Sequence, residues 1–204
     1  MRKIGYLGGT FDPIHIGHLM LAEWAISAAD LEEVWFIPTG PSYMKTDHYV
    51  LPGPERLRRV EMAVEGNSKF KCLDMEIIRQ GYTYTYETVE ELRAKYPDTE
   101  FYLIQGADCL FALDSWKHPD RILKSCTVLA AVRGDSDLSC LKSKRRELLS
   151  KYGGNIILLP FMHLSISSSE IRGRVLEGKS IRYMVPDEVL KYIEDKGFYR
   201  EKAR

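Results

Sequence analysis

Apolar positions along the chain fall into two kinds of run. Short, nearly continuous apolar segments recur at Arg2–Leu7, at Val34–Ile37 within Leu31–Pro38, at Phe70–Leu73, at Glu100–Gln105, at Thr127–Val132 and at Asn155–Leu159. Runs of this length, apolar on both sides, predict strands of a parallel sheet that is covered on both faces. Stretches with helical spacing lie between them. Leu19, Leu21, Ala22, Ala25 and Ile26 predict a helix from Gly17 to about Ala29, and Leu57, Val60, Met62 and Val64 a second over Pro54–Gly66. Tyr82–Thr88 favours strand by propensity, yet Val89, Leu92 and Arg93 keep a helical interval, so a third helix is placed from near Thr85 to about Tyr96. Leu110–Trp116 and Asp120–Lys124 predict short helical pieces, Leu138–Tyr152 a basic amphipathic helix, and Pro186–Glu194 a last helix. Another helix starts in Ser165–Arg174, where Ser167 and Glu170 have capping-box spacing. This alternation predicts an α/β fold with a doubly wound parallel sheet.

A length of 204 residues suits one domain over 1–204, with a helical part from about 165 to 204 packed on the same body. Lys+Arg and Asp+Glu each number 29, and the resulting zero net charge disfavours an extended nucleic-acid footprint while leaving room for small anions at a local basic site. Cys72, Cys109, Cys126 and Cys140 form no CxxC pair and suit neither a zinc site nor a disulfide framework, so they are read as reduced and mostly buried. The start of the chain lacks a long apolar segment and no run approaches a membrane span, which makes a cytoplasmic location without a membrane partner the expectation. A homodimer stays open.

Candidate chemistry concentrates in Gly8-Gly9-Thr10-Phe11-Asp12-Pro13-Ile14-His15-Ile16-Gly17-His18-Leu19, read as a strand-to-helix turn at the carboxyl end of the first strand. Open α/β sheets bind ligands there. Glycines let the backbone approach a bound group, and a helix start offers free N–H groups to an anion. A lone histidine is most often packed or solvated, but His15 and His18 at such a turn point to phosphate. No third ligand at suitable spacing accompanies them, so no metal site is expected. Ser167-Ser168-Ser169-Glu170-Ile171-Arg172 reads equally as a helix cap or as a phosphate clamp. Asp108, after the fourth strand, either caps a turn or serves a nucleotide, accepting from ribose hydroxyls or joining the metal–nucleotide shell. Trp116 is either core or the wall for a flat ring. Lys45, in the long polar loop 40–53, is either solvated or a cation for a phosphate. Arg133 is either a surface charge or another phosphate contact. Thr83 and Thr85 either start a helix or turn their backbone N–H groups to a carboxylate.

Together these residues resemble the nucleotidyltransferase superfamily, whose HxGH and SSxxIR elements match His15–His18 and Ser167–Arg172. More narrowly, the opening stretch resembles the bacterial nicotinate-mononucleotide adenylyltransferase family. Gly81-Tyr82-Thr83-Tyr84-Thr85, Gly106-Ala107-Asp108 with Trp116, and Ile181–Pro186 with Tyr192-Ile193 are also similar. The resemblance implies a Rossmann-like fold and transfer of AMP from ATP to nicotinate mononucleotide, with Mg²⁺ accompanying ATP. It implies that Gly8, Gly9, His15, His18 and Arg172 hold the ATP phosphates, the last three as catalytic residues. Gly106 and Arg133 join the ATP side, and Ser168 and Ile171 lie near adenine. Asp108 would sit between the two nucleotides. Thr10 and Lys45 would reach the mononucleotide phosphate, and Thr83, Thr85, Trp116 and Lys117 the nicotinate end. Many relatives end the second-strand loop with Pro-Pro-His-Lys; here Pro41-Ser42-Tyr43-Met44-Lys45 keeps the lysine without the imidazole. Two other readings compete with this one. A pantetheine-phosphate or amide-form mononucleotide enzyme is disfavoured by Trp116 with Tyr82–Thr88. A non-catalytic nucleotide sensor or RNA-binding module is disfavoured by the intact histidine, Asp108 and Arg172 set and by the balanced charge.

Overall fold

Each apolar run pairs with its neighbours in a computed structural model that describes residues 1–41, 50–133, 138–161 and 164–201. The strands are β1 (Arg2–Gly9), β2 (Glu33–Pro38), β3 (Phe70–Cys72), β4 (Thr99–Gly106), β5 (Thr127–Arg133) and β6 (Asn155–Phe161). All pair in parallel, in the order β3-β2-β1-β4-β5-β6, with Tyr6 opposite Trp35 on one side and Leu103 on the other. The order reverses between β1 and β4, so the crevice at their carboxyl ends is the switch point where such sheets take ligands.

The helices are α1 (Ile16–Ala29), α2 (Gly53–Val64), α3 (Thr85–Lys95), α4 (Asp108–Ala112), α5 (Pro119–Ser125), α6 (Leu138–Tyr152), α7 (Ser168–Leu176) and α8 (Asp187–Lys196), with a 3₁₀ turn at Leu113–Ser115 after α4. They divide between the two faces as the alternation along β1 requires. Ile4 and Tyr6 join a core with Val89 and Leu92 of α3, Leu110 of α4, Ile122 of α5 and Leu148 of α6. Leu7 joins the opposite core with Ala22 and Ala25 of α1, Val60 and Val64 of α2, Ile171 of α7, and Val189 and Ile193 of α8. No helix among the described residues is long and apolar enough to cross a membrane.

Three details depart from the sequence reading. First, β1 runs on through Gly8 and Gly9, which pair with Ile37 and Pro38, so neither glycine is the turn residue. The chain turns at Phe11, whose φ of 49° lies in the left-handed region. That conformation costs a residue with a Cβ about 1–2 kcal/mol. Second, the buried face of α2 carries Arg56 (5% exposed) and Arg59 (0%) beside Val60 and Val64, whereas Leu57 and Met62 are only half-buried. Third, the cysteines form no disulfide among the described residues but are not mostly buried: Cys126 is buried, Cys72 and Cys109 are intermediate and Cys140 is exposed. Burial pushes the Cys72 and Cys126 thiols up to about 12, which keeps both unreactive.

Candidate active site

The end of β1 and the start of α1 form the first part of the site. Residues Phe11 to His15 are all buried. His15 is the N-cap of α1, in extended conformation, and His18 lies three residues on. The His15 backbone N–H donates to Nδ1 of His18 at 3.2 Å. An accepting Nδ1 puts the proton of a neutral ring on Nε2, which makes that edge a donor. The two imidazoles stack at 3.6 Å, and a Cβ at Gly17 would come within 3.1 Å of the His15 ring. The glycine between the histidines thus leaves room for the first ring to fold back over the helix start.

The start of α7 forms the second part. Ser167 caps it, its Oγ accepting from the Glu170 N–H at 3.1 Å. Ser168 Oγ donates to the Pro13 carbonyl at 2.9 Å. Arg172 donates from Nη1 to the Asp12 carbonyl at 2.7 Å and from Nη2 to Ser169 Oγ at 3.2 Å. The first turn of α7 therefore docks on residues 12–13, and two helix N-termini lie beside the same short segment. Ile171, expected near adenine, has no exposed surface and packs in the core beneath this turn.

On the other side of β1 a cavity of about 420 Å³ opens. Gly8 and Gly9 reach it from β1 and Thr10 from just beyond, Thr83 from the segment before α3 and Thr85 from its first residue, and Trp116 and Lys117 from the segment after the 3₁₀ turn. The described residues expected at the mononucleotide thus share one cavity. A Cβ at Gly8 would meet only the Tyr6 ring, at 4.0 Å, so any side chain there would occupy the cavity itself. Trp116 is half-buried and packs against the core on that face. Its segment is pinned by Asp114, which accepts from Lys144 (2.5 Å), Lys151 (2.9 Å) and Tyr152 (2.7 Å). Lys117 Nζ stands 5.9 Å from the Tyr84 ring centre, at the outer limit of a cation–π contact.

Gly106 ends β4 and Asp108, exposed, begins α4; neither lines the cavity, and both stand at the sheet edge beside it. Arg133 closes β5. Lys45, with Met44 and the rest of residues 42–49, lies outside the described residues. Among the described residues no group of three or more His, Cys, Asp or Glu could hold a metal ion.

Sequence reasoning missed three buried charges. Glu76, 5% exposed, is part of the cavity wall. Thr88 Oγ1 donates to it at 2.7 Å, and Thr83 and the Gly40 backbone also hydrogen-bond to it. Burial raises its carboxyl above the ordinary range despite those donors. A lone glutamate in an irregular charged run gave no signal of this. The stability gained by protonating it is complete below the ordinary glutamate value of about 4.3 and is lost as pH rises through the higher folded value. Glu76→Gln should therefore gain on the parent in melting temperature as pH rises above about 4. A difference that stays constant across a pH series of thermal melts would contradict this.

The other two are the α2 arginines. Arg56 donates to the carbonyls of Leu51 (3.0 Å), Thr10 (2.8 Å) and Thr39 (2.6 Å), tying together the ends of β1 and β2. Arg59 pairs with Asp12 at 3.1 Å. Their trace in the sequence is spacing: positions 56, 60 and 64 form a regular helical stripe and 59 adjoins it, whereas 62 lies off that face.

Residues 6–174 match the family described as cytidylyltransferase-like. A protein of Lachnoclostridium phytofermentans described as a probable nicotinate-nucleotide adenylyltransferase is 43% identical over 199 residues, which cover 98% of this chain and 100% of that one. A protein of Desulfitobacterium hafniense with the same description is 42% identical, covering 98% of this chain and 96% of its own. Among solved structures, Plasmodium falciparum nicotinic acid mononucleotide adenylyltransferase complexed with NaAD superposes with a TM-score of 0.79 over 98% of both chains, at 21% identity. Its complex with APC gives a TM-score of 0.75 over the same shares. At that identity the two structures speak to the fold.

Proposed function

The chain belongs to the nicotinate-nucleotide adenylyltransferases of the cytidylyltransferase-like family, and on that premise we propose that it transfers AMP from ATP to nicotinate mononucleotide in NAD biosynthesis. The products are deamido-NAD and pyrophosphate. The observation that carries this reading is the docking of α7 on residues 12–13, which brings two helix starts and two imidazoles to the segment that directly follows Gly8, Gly9 and Thr10 of the cavity wall.

A phosphate oxygen of the mononucleotide attacks the α-phosphorus of ATP. The new P–O bond forms as the bond from that phosphorus to the bridging oxygen breaks, and the electron pair leaves with pyrophosphate. The attacking phosphate, with a second pKa near ~6, is largely dianionic at neutral pH and needs no general base. The protein's task is to align two anions and to stabilise the charge that develops. The imidazoles of His15 and His18, the N–H groups at the starts of α1 and α7, and the Arg172 guanidinium suit the triphosphate. Gly8 and Gly9 let it approach the backbone, and Ser168, Gly106 and Arg133 are assigned to the same substrate. Thr10 and Lys45 serve the mononucleotide phosphate. Thr83, Thr85, Trp116 and Lys117 serve the nicotinate ring and its carboxylate. Nucleotidyl transfer from ATP generally uses a divalent metal; we assign it as Mg²⁺ carried in on the phosphates, with the exposed Asp108 carboxylate suited to the metal–nucleotide shell or to ribose.

Pyrophosphate release from ATP is measured with nicotinate mononucleotide, nicotinamide mononucleotide and phosphopantetheine in parallel. The reading expects the first to be the preferred acceptor, and no release with it overturns the reading. Trp116→Ala should raise the KM for nicotinate mononucleotide by about 5- to 150-fold, the range for losing one base–aromatic stack, with a much smaller change in kcat. An unchanged KM removes Trp116 from the site.

A further inference from the structure

We propose that Arg59 and Tyr199 are positioning residues for the transfer, acting through the Asp12 carboxylate to hold the turn that presents His15, His18 and Arg172; this rests on the function proposed above. Asp12 is 3% exposed and Arg59 not at all. Asp12 Oδ1 accepts from Arg59 Nη2 at 3.1 Å and from the Tyr199 hydroxyl, and Arg59 Nη1 reaches the same hydroxyl. Oδ2 accepts from the Leu51 N–H at 3.3 Å. Burial pushes the Tyr199 phenol upward, so it stays a neutral donor. Three distant parts of the chain, the β1 turn, α2 and the segment after α8, thus converge on one side chain. The backbone carbonyl of that same Asp12 accepts from Arg172 at 2.7 Å. Asp12 is therefore gripped on one side by Arg59 and Tyr199 and offers the seat for Arg172 on the other.

The turn needs a grip. Phe11, immediately before Asp12, is in the left-handed region with φ 49°, a conformation that persists where its surroundings over-determine it. A carboxylate held by an arginine, a phenol and a backbone N–H in a buried site has one favoured geometry. Loosening it lets the histidines and the Arg172 seat drift. Displacements of about 1 Å from correct alignment cost up to about 10²-fold in rate.

Tyr199→Phe keeps the ring, whose centre is 5.6 Å from the Arg59 guanidinium, and removes only the hydroxyl. It should lower kcat by about tenfold and leave the KM for nicotinate mononucleotide within about twofold, because the mononucleotide cavity is lined by other residues. Arg59→Lys keeps the charge, gives up the two-pronged contact, and should show the same split. Phe198→Leu is the control. It removes the other ring over Arg59, 5.4 Å from the guanidinium, and none of the hydrogen bonds to Asp12, so it should lower the melting temperature and leave kcat unchanged. The proposal is overturned if Tyr199→Phe and Arg59→Lys keep parental kcat, or if Phe198→Leu reproduces their loss. A parent chain without AMP transfer in the same assay overturns instead the function on which the proposal stands.

Discussion

His18→Asn should slow AMP transfer by about 10²–10³-fold, the usual cost of removing one strong electrostatic contact at a reacting phosphate. Its melting temperature should stay within a few degrees of the parent. Asparagine is chosen because its side-chain oxygen sits where Nδ1 of the histidine sits. It can go on accepting the His15 N–H, a contact of 3.2 Å in the parent, so the start of α1 keeps its cap. What is lost is the Nε2 edge, the donor directed by the proposal at the triphosphate. His18→Ala removes both functions and should add a cap loss of about 1 kcal/mol to the kinetic defect. Thermal melts and initial rates on the two variants separate the two roles. A His18→Asn protein with undiminished turnover would take the imidazole out of the mechanism.

Arg172→Lys is the second large effect. The guanidinium of Arg172 bridges the Asp12 carbonyl and Ser169 Oγ, at 2.7 and 3.2 Å. A lysine ammonium is a point charge on a flexible stem and cannot reproduce that planar fork. The charge would remain but its position would not. The kcat/KM for ATP should fall by about 10²–10³-fold, with the KM for nicotinate mononucleotide nearly unchanged. Initial rates with each substrate varied in turn give that split. Full kcat with weakened binding of the mononucleotide instead would mean that Arg172 serves the other substrate.

Local pattern carried much of the fold. Leu138–Tyr152 is helical over the same residues that its spacing predicts, and the alternation of apolar runs with helical stretches leads to the doubly wound sheet that is observed. The start of α3 at Thr85 follows the burial of Tyr86, Val89 and Leu92, which outweighs the strand propensity of the surrounding tyrosines and threonines. In the site, residues close in sequence were legible together: the histidine pair at the start of α1, the serine cap of α7, the threonines at α3. What spacing does not reveal is contact across the chain. Ser168 and Pro13 are separated by 155 positions and Arg172 and Asp12 by 160, and only the resemblance to known enzymes linked them beforehand. Buried charges were hidden for a related reason. Arg56, Arg59 and Glu76 look like solvated residues until the carbonyls, carboxylate and hydroxyls that satisfy them arrive from elsewhere in the fold. The stretch from Gly8 to Leu19 reads as one strand-to-helix turn, but Gly8 and Gly9 still pair in the sheet. Their place is the end of a strand, where at Gly8 the missing side chain leaves the cavity open.

A structure of the protein bound to a non-hydrolysable ATP analogue tests most directly whether the starts of α1 and α7 grip one triphosphate between them. The arrangement described here requires phosphate oxygens within hydrogen-bonding distance of both the His18 imidazole and the Arg172 guanidinium in the same complex. Phosphates that touch only one of those helix starts, or that settle in the cavity between Thr85 and Trp116, would contradict it.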